Sequence, residues 1–132
     1  MTFRVPTWLR RRATAIRNRW RWQARLEGDT IVAIRPEGDS YRMPLADLQA
    51  VIIETNDTGP FGDDCWWQLH RHASSVPDCV FPQGAVGSDA VVQALAGLPG
   101  FDHMAMLAAM GSTDNARFPV WTRPLAGRPG AS

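Results

Sequence analysis

Residues 88–111 form the only stretch of this chain whose pattern reads firmly as helix, and this limits the folds open to it. Val91, Ala94, Leu95 and Leu98 recur at helical spacing before Pro99-Gly100 breaks the run. Ser88 and Asp102 stand where helix N-caps belong, and Asp89 suits the positive end of the first helix. Gly111 stands where a left-handed C-cap would close the second helix. The spacing predicts two short helices, split by Leu98-Pro99-Gly100-Phe101. The second, from Met104 to Met110, is apolar on every side, a pattern expected of a buried helix.

Nearly everything before this pair alternates with a period of two or forms turns. Trp20, Trp22, Ala24 and Leu26 alternate with Arg19, Arg21, Gln23 and Arg25, as in a half-buried strand. Glu27-Gly28-Asp29 and Pro36-Glu37-Gly38-Asp39 are turns that bound a strand over 30–35 and open one over 40–43, so three strands form an antiparallel meander. Residues 44–48 form a bend or a single helical turn. Further strands are expected over 49–55, 65–71 and 79–81, with a closing strand over 118–122. The predicted class is α+β: a strongly curved, mostly antiparallel sheet of six or seven strands, covered by the C-terminal helix pair. The expected organisation is a basic arm over 1–19, one domain over 20–123 and a Pro/Gly-rich tail over 124–132.

A net charge of +1 conceals a strong asymmetry. Residues 1–26 carry eight arginines and no acid, while the remainder carries six arginines against 13 acids. Residues 7–19 can form a basic amphipathic helix, with Arg10, Arg11 and Arg12 as candidate contacts to an anionic surface. No apolar run reaches the ~18 residues of a membrane span, and the N-terminus lacks the apolar core of a secretory signal, so a cytoplasmic location is expected. Cys65 and Cys79 are then expected as thiols. In the predicted hairpin residue 71 faces residue 79, which leaves Cys65 several residues from Cys79.

No constellation of catalytic residues stands out, and no cofactor is implied. His70 and His72 share a strand face but have no third ligand nearby in sequence; they read as exposed residues at a strand end. The acidic segment 56–64 lacks the ligand spacing of a calcium loop, and its tip offers Phe61 as a candidate contact. Asp102, His103 and residues 112–115 invite a hydrolase reading, yet there is no Gly-x-Ser-x-Gly elbow. Capping and turn formation explain those residues more simply. Sequence-specific nucleic-acid reading is disfavoured, because the second helix offers no Arg, Asn or Gln to base edges. Trp66 and Trp67 are adjacent in a strand and must point to opposite faces, so one lies outside the sheet's interior.

The segments Leu98-Pro99-Gly100-Phe101-Asp102 and 110–118, with Trp121 and the upstream Val80-Phe81-Pro82-Gln83-Gly84, look like the signature of a family of small uncharacterised bacterial proteins. That resemblance takes in residues 45–123 and implies no activity. Separately, the meander, the bend at 44–48 and the long apolar strand after it are similar to bacterial pleckstrin-homology-like domains. The chain departs from those in having two helices and a strand after them. The resemblance implies a binding scaffold.

The leading expectation is therefore a non-catalytic binding module that meets a protein partner or a further copy of itself. Its candidate contacts are Trp66, Trp67, Phe61, Met106 and Met110. Two alternatives are a peripheral membrane protein that uses the basic arm, and a small enzyme with a site near residues 102–117.

Overall fold

A computed structural model describes residues 22–56, 65–72, 76–112 and 114–124. In chain order the elements are β1 (Gln23–Glu27), β2 (Thr30–Ile34), β3 (Ser40–Pro44), a 3-10 turn (Leu45–Asp47), β4 (Ala50–Thr55), β5 (Cys65–His70), β6 (Cys79–Pro82), α1 (Ser88–Ala96), α2 (His103–Met110) and β7 (Ala116–Thr122). The class is α+β, with every strand pairing antiparallel. The seven strands do not form one sheet, as the sequence pattern suggested. They divide into a three-stranded sheet of order β1-β2-β3 and a four-stranded sheet of order β6-β5-β4-β7. The break falls at the 3-10 turn between β3 and β4. No closed barrel forms among the described residues.

The meander follows its turn chemistry. Glu27 pairs with Thr30 around Gly28-Asp29, and Gly28 takes the left-handed φ of 63° that a tight hairpin demands. Ala24, Ile31, Ala33 and Met43 then fall on the buried face. On the other face Arg25, Val32 and Arg42 stand in one register row. Glu27 joins both guanidiniums, at 2.7 Å to Arg25 and 2.8 Å to Arg42. These hydrogen bonds, that of Arg42 first, hold the Glu27 carboxyl below its usual range.

In the second sheet Val51, Leu69 and Cys79 form one inward row, and Ile53, Trp67 and Phe81 the next. The Trp67 and Phe81 rings stack at 6.1 Å, 3° from parallel. Observed pairing sets Leu69 opposite Cys79, two residues from the expected register. A shift of two preserves the faces, because strand side chains alternate. Cys65 lies opposite Thr55, and no disulfide joins it to Cys79.

His70 corrects the sequence reading: it is buried, at 1% exposure, while His72 is exposed. Position 88 is a second correction. Gly87, with φ of 82°, occupies the N-cap of α1, and Ser88 is a buried first-turn residue. Gly111 is a third: its φ of −95° is open to any residue, so it is not a left-handed cap. Asp102 does cap α2, its Oδ1 accepting from the Ala105 N–H at 2.9 Å.

A register shift between Val51 and Ile52 leaves Val120 as the extra residue of β7, with Val51 facing Trp121 and Ile52 facing Pro119. Val120 and Trp121 are both buried there. They also fasten the segment between the helices. The Asp102 N–H donates to the Val120 carbonyl at 2.7 Å, and the Trp121 indole N–H to the Pro99 carbonyl at 2.8 Å. Buried side chains from both sheets and both helices form a single core cluster.

Candidate interaction surface

The site of interest is the outward face of α2, and its form follows from which face the helix buries. At 100° per residue, Ala105 and Ala109 lie one turn apart on the same side. Ala109 is 1% exposed, and Ala105 and Met106 pack partly buried against the core. Two small residues on the seating face let the backbone lie close to β7, against which α2 makes its main contact. The opposite side carries Met104, Leu107, Ala108 and Gly111, all exposed. Met104 is 75% exposed, Leu107 59% and, at the flank, Met110 40%. The expectation that an apolar helix is buried on every side fails here, since one seat buries only one stripe.

The helix itself carries no charge. His103–Met110 contains no Asp, Glu, Lys or Arg, and the nearest such residues along the chain are Asp102 before it and Asp114 beyond Ser112. The His103 ring packs edge-on to Phe101 at 5.0 Å. Other large exposed apolar residues among those described, Tyr41, Val76 and Val86, lie on separate elements. Single exposed side chains of that kind are normal on any protein, whereas three on one helix face are a patch.

The candidates named from sequence are dispersed. Met106 is half-buried and Met110 belongs to the patch. Trp67 lies in the core with no exposure, its indole N–H donating to Gln83 Oε1 at 2.6 Å, so it presents nothing to a partner. Trp66 is the outer member of the pair, half-buried and edge-on to Trp22 at 5.4 Å. Phe61, Arg10, Arg11 and Arg12 lie outside the described residues. The sequence leaves open whether Met104, Met106 and Met110 face the sheet or another chain, and Met104 lies outward; Leu107 is the outward residue that the sequence does not single out. The signal that could have found it is the Ala105–Ala109 pair, which marks the close-packed side of an otherwise uniform helix.

Two shallow concavities have a different character. One, of about 280 Å³, is lined by Glu54, Thr55, Asn56, Asn115, Ala116 and Arg117. The Thr55 hydroxyl, buried, donates to the Asp114 carbonyl at 2.8 Å, and the Asp114 N–H donates to Ser112 Oγ at 3.2 Å. Beside it Gln68 Nε2 donates to Glu54 Oε1 at 2.7 Å and Arg117 donates to Gln68 Oε1 at 3.3 Å. Asp102, His103 and Ser112 are thus engaged in separate structural contacts.

The other concavity, about 300 Å³, includes Arg35, Tyr41, Val76, Pro77 and Val80. There the Arg35 guanidinium donates to the Tyr41 hydroxyl at 3.1 Å, which raises the Arg35 pKa. Among the described residues no three His, Cys, Asp or Glu side chains gather as metal ligands, and no helix is long and apolar enough to cross a membrane. Comparison with protein-family models, with curated proteins and with solved structures finds no match.

Proposed function

We propose that this chain is a non-catalytic interaction module that docks a protein partner through the outward face of α2. The observation that carries this reading is the row Met104, Leu107 and Met110, three large apolar side chains left in water on a helix that is otherwise firmly seated. Completing the burial of three such side chains supplies about 3–6 kcal/mol of driving force. Association costs at least about 4 kcal/mol, so the helix is an anchor that needs a polar rim around it. Asp102, Ser112 and Asp114 stand where such a rim would lie.

A capture experiment tests the reading. Tagged wild-type protein and the Leu107→Asp variant are compared for what they retain from cells that express the chain. The expected result is a specific partner held by the wild type and lost with Leu107→Asp, while circular dichroism of the variant is unchanged. Equal recovery by both proteins would overturn it.

The charge of residues 1–26 favours a second reading, peripheral attachment to anionic lipid. Sedimentation with anionic vesicles tests that reading, and binding that survives deletion of residues 1–19 would remove the arm from it.

A further inference from the structure

We infer that the concavity between Arg35 and Val80 binds a small carboxylic acid, its anionic head on the Arg35 guanidinium and its compact apolar body against Tyr41, Pro77 and Val80. Here the end of β2, the edge strand β3 and the start of the edge strand β6 come together. A volume of about 300 Å³ lies at the lower end of ligand pockets, so the space suits a small molecule. Tyr41 and Val76, two of the exposed large apolar residues, both line it.

Arg35 is the exception among the described arginines. Arg25 and Arg42 pair with Glu27, Arg71 with Asp47 and Arg117 with Glu54, while Arg123 meets main-chain carbonyls. The half-buried Arg35 side chain has only a neutral phenol: Nη1 donates to the Tyr41 hydroxyl at 3.1 Å, and the guanidinium lies 5.9 Å from the ring centre. Tyr41 thus holds the cation in place without neutralising it. The edge formed by Nε and Nη2 has no acceptor among the described residues, and a carboxylate matches such an edge with two parallel hydrogen bonds.

Three acids stand near and none takes that edge. Glu37 and Asp39 act on Arg35 only through space, from the exposed turn, and Asp78 Oδ2 accepts from the Arg71 main-chain N–H at 2.6 Å. Their negative charge opposes a dianion more than a monoanion, so a carboxylate fits better than a phosphate. The valines, the proline and the tyrosine ring favour an acid with a hydrocarbon body over a bare ion. Few atoms are buried, so the dissociation constant is on the order of 1 mM.

Nitrogen-15 NMR of the full chain, titrated with phenylacetate for a flat body and isovalerate for a branched one, tests the proposal. At least one acid should shift the Arg35 Nε–H signal and the Tyr41 and Val80 amide signals together, and saturably, with a dissociation constant on the order of 1 mM. Phenylacetamide has the same shape without the charge, and acetate has the charge without the body. Each should bind at least about tenfold more weakly. Arg35→Gln should weaken the acid at least about tenfold, with signals away from the site unmoved as the check on folding. The proposal is overturned if neither acid saturates, or if the shifts fall away from these residues. Phenylacetamide or inorganic phosphate binding as tightly as the acid, or an undiminished affinity in Arg35→Gln, also overturns it.

Discussion

Gly87 lies so close to Ala24 that a Cβ on it would stand 2.9 Å from the Ala24 carbonyl oxygen. The approach is held by two hydrogen bonds, from the Ala24 N–H to the Val86 carbonyl at 3.0 Å and from the Val86 N–H to the Trp22 carbonyl at 2.8 Å. Gly87 also has φ of 82°, so it combines a steric demand with a conformational one at the point where α1 leaves the first sheet. Gly87→Ala should cost about 1–3 kcal/mol in urea denaturation. Gly111→Ala is the matched control. With negative φ and its nearest neighbour at 3.7 Å, it should be neutral or stabilising by up to about 1 kcal/mol.

Arg123 should behave as a structural residue despite its partial exposure. Its guanidinium donates to the carbonyls of Leu48 at 2.7 Å, Leu45 at 2.8 Å and Ala46 at 3.3 Å, so it closes the 3-10 turn where the chain passes between sheets. The guanidinium also lies over the Trp121 ring at 5.4 Å. Arg123→Met should lose about 1.5–3 kcal/mol of stability. Arg123→Lys should recover less than half of that, because an ammonium cannot span three carbonyls with a planar fork. Chemical denaturation of the three proteins side by side decides it.

Burial pushes the Cys79 thiol from its ordinary 9.0 up to about 12, with the Asp78 carboxylate adding to the effect. The folded thiol keeps its proton where the unfolded one has lost it. The stability it contributes is whole below about pH 9 and falls as pH rises toward about 12. The advantage of wild type over Cys79→Ala should therefore shrink between about pH 8 and about pH 10.5, read from denaturation midpoints. Under native conditions a thiol reagent should modify the half-buried Cys65 well before Cys79.

The two sides of α2 should respond in opposite ways to size and charge. Ala109→Leu drives three more carbons into the seat against the core and should cost about 1–3 kcal/mol. Met104→Glu on the outward side should shift stability by no more than about 0.5 kcal/mol. Thermal denaturation of both variants checks the orientation of the helix independently of any partner.

What the sequence determined by itself is local. Period-two alternation read from Trp20, the turn residues Gly28 and Gly38, and the break at Pro99-Gly100 place most elements within a residue or two of where they lie, although the first strand begins only at Gln23. Asp102 caps its helix as read, because its partner is three residues away. These features depend on neighbours in the chain, so the chain displays them.

The tertiary structure alone decided the rest. Division of the strands into two sheets depends on which backbones meet after the 3-10 turn, and the hydrogen-bonding groups of the main chain are the same in every residue except proline. Gly87 needs its missing Cβ because of Ala24, which lies 63 positions earlier in the chain. Ser88 therefore looked like the cap. The burial of His70 comes from what packs around the end of β5, and a strand pattern does not encode that. The exposed face of α2 was hidden for a different reason. With apolar residues on every side the helix has no polar stripe to orient it, and only its seat on β7 turned Ala105 and Ala109 inward and left Met104 and Leu107 in water.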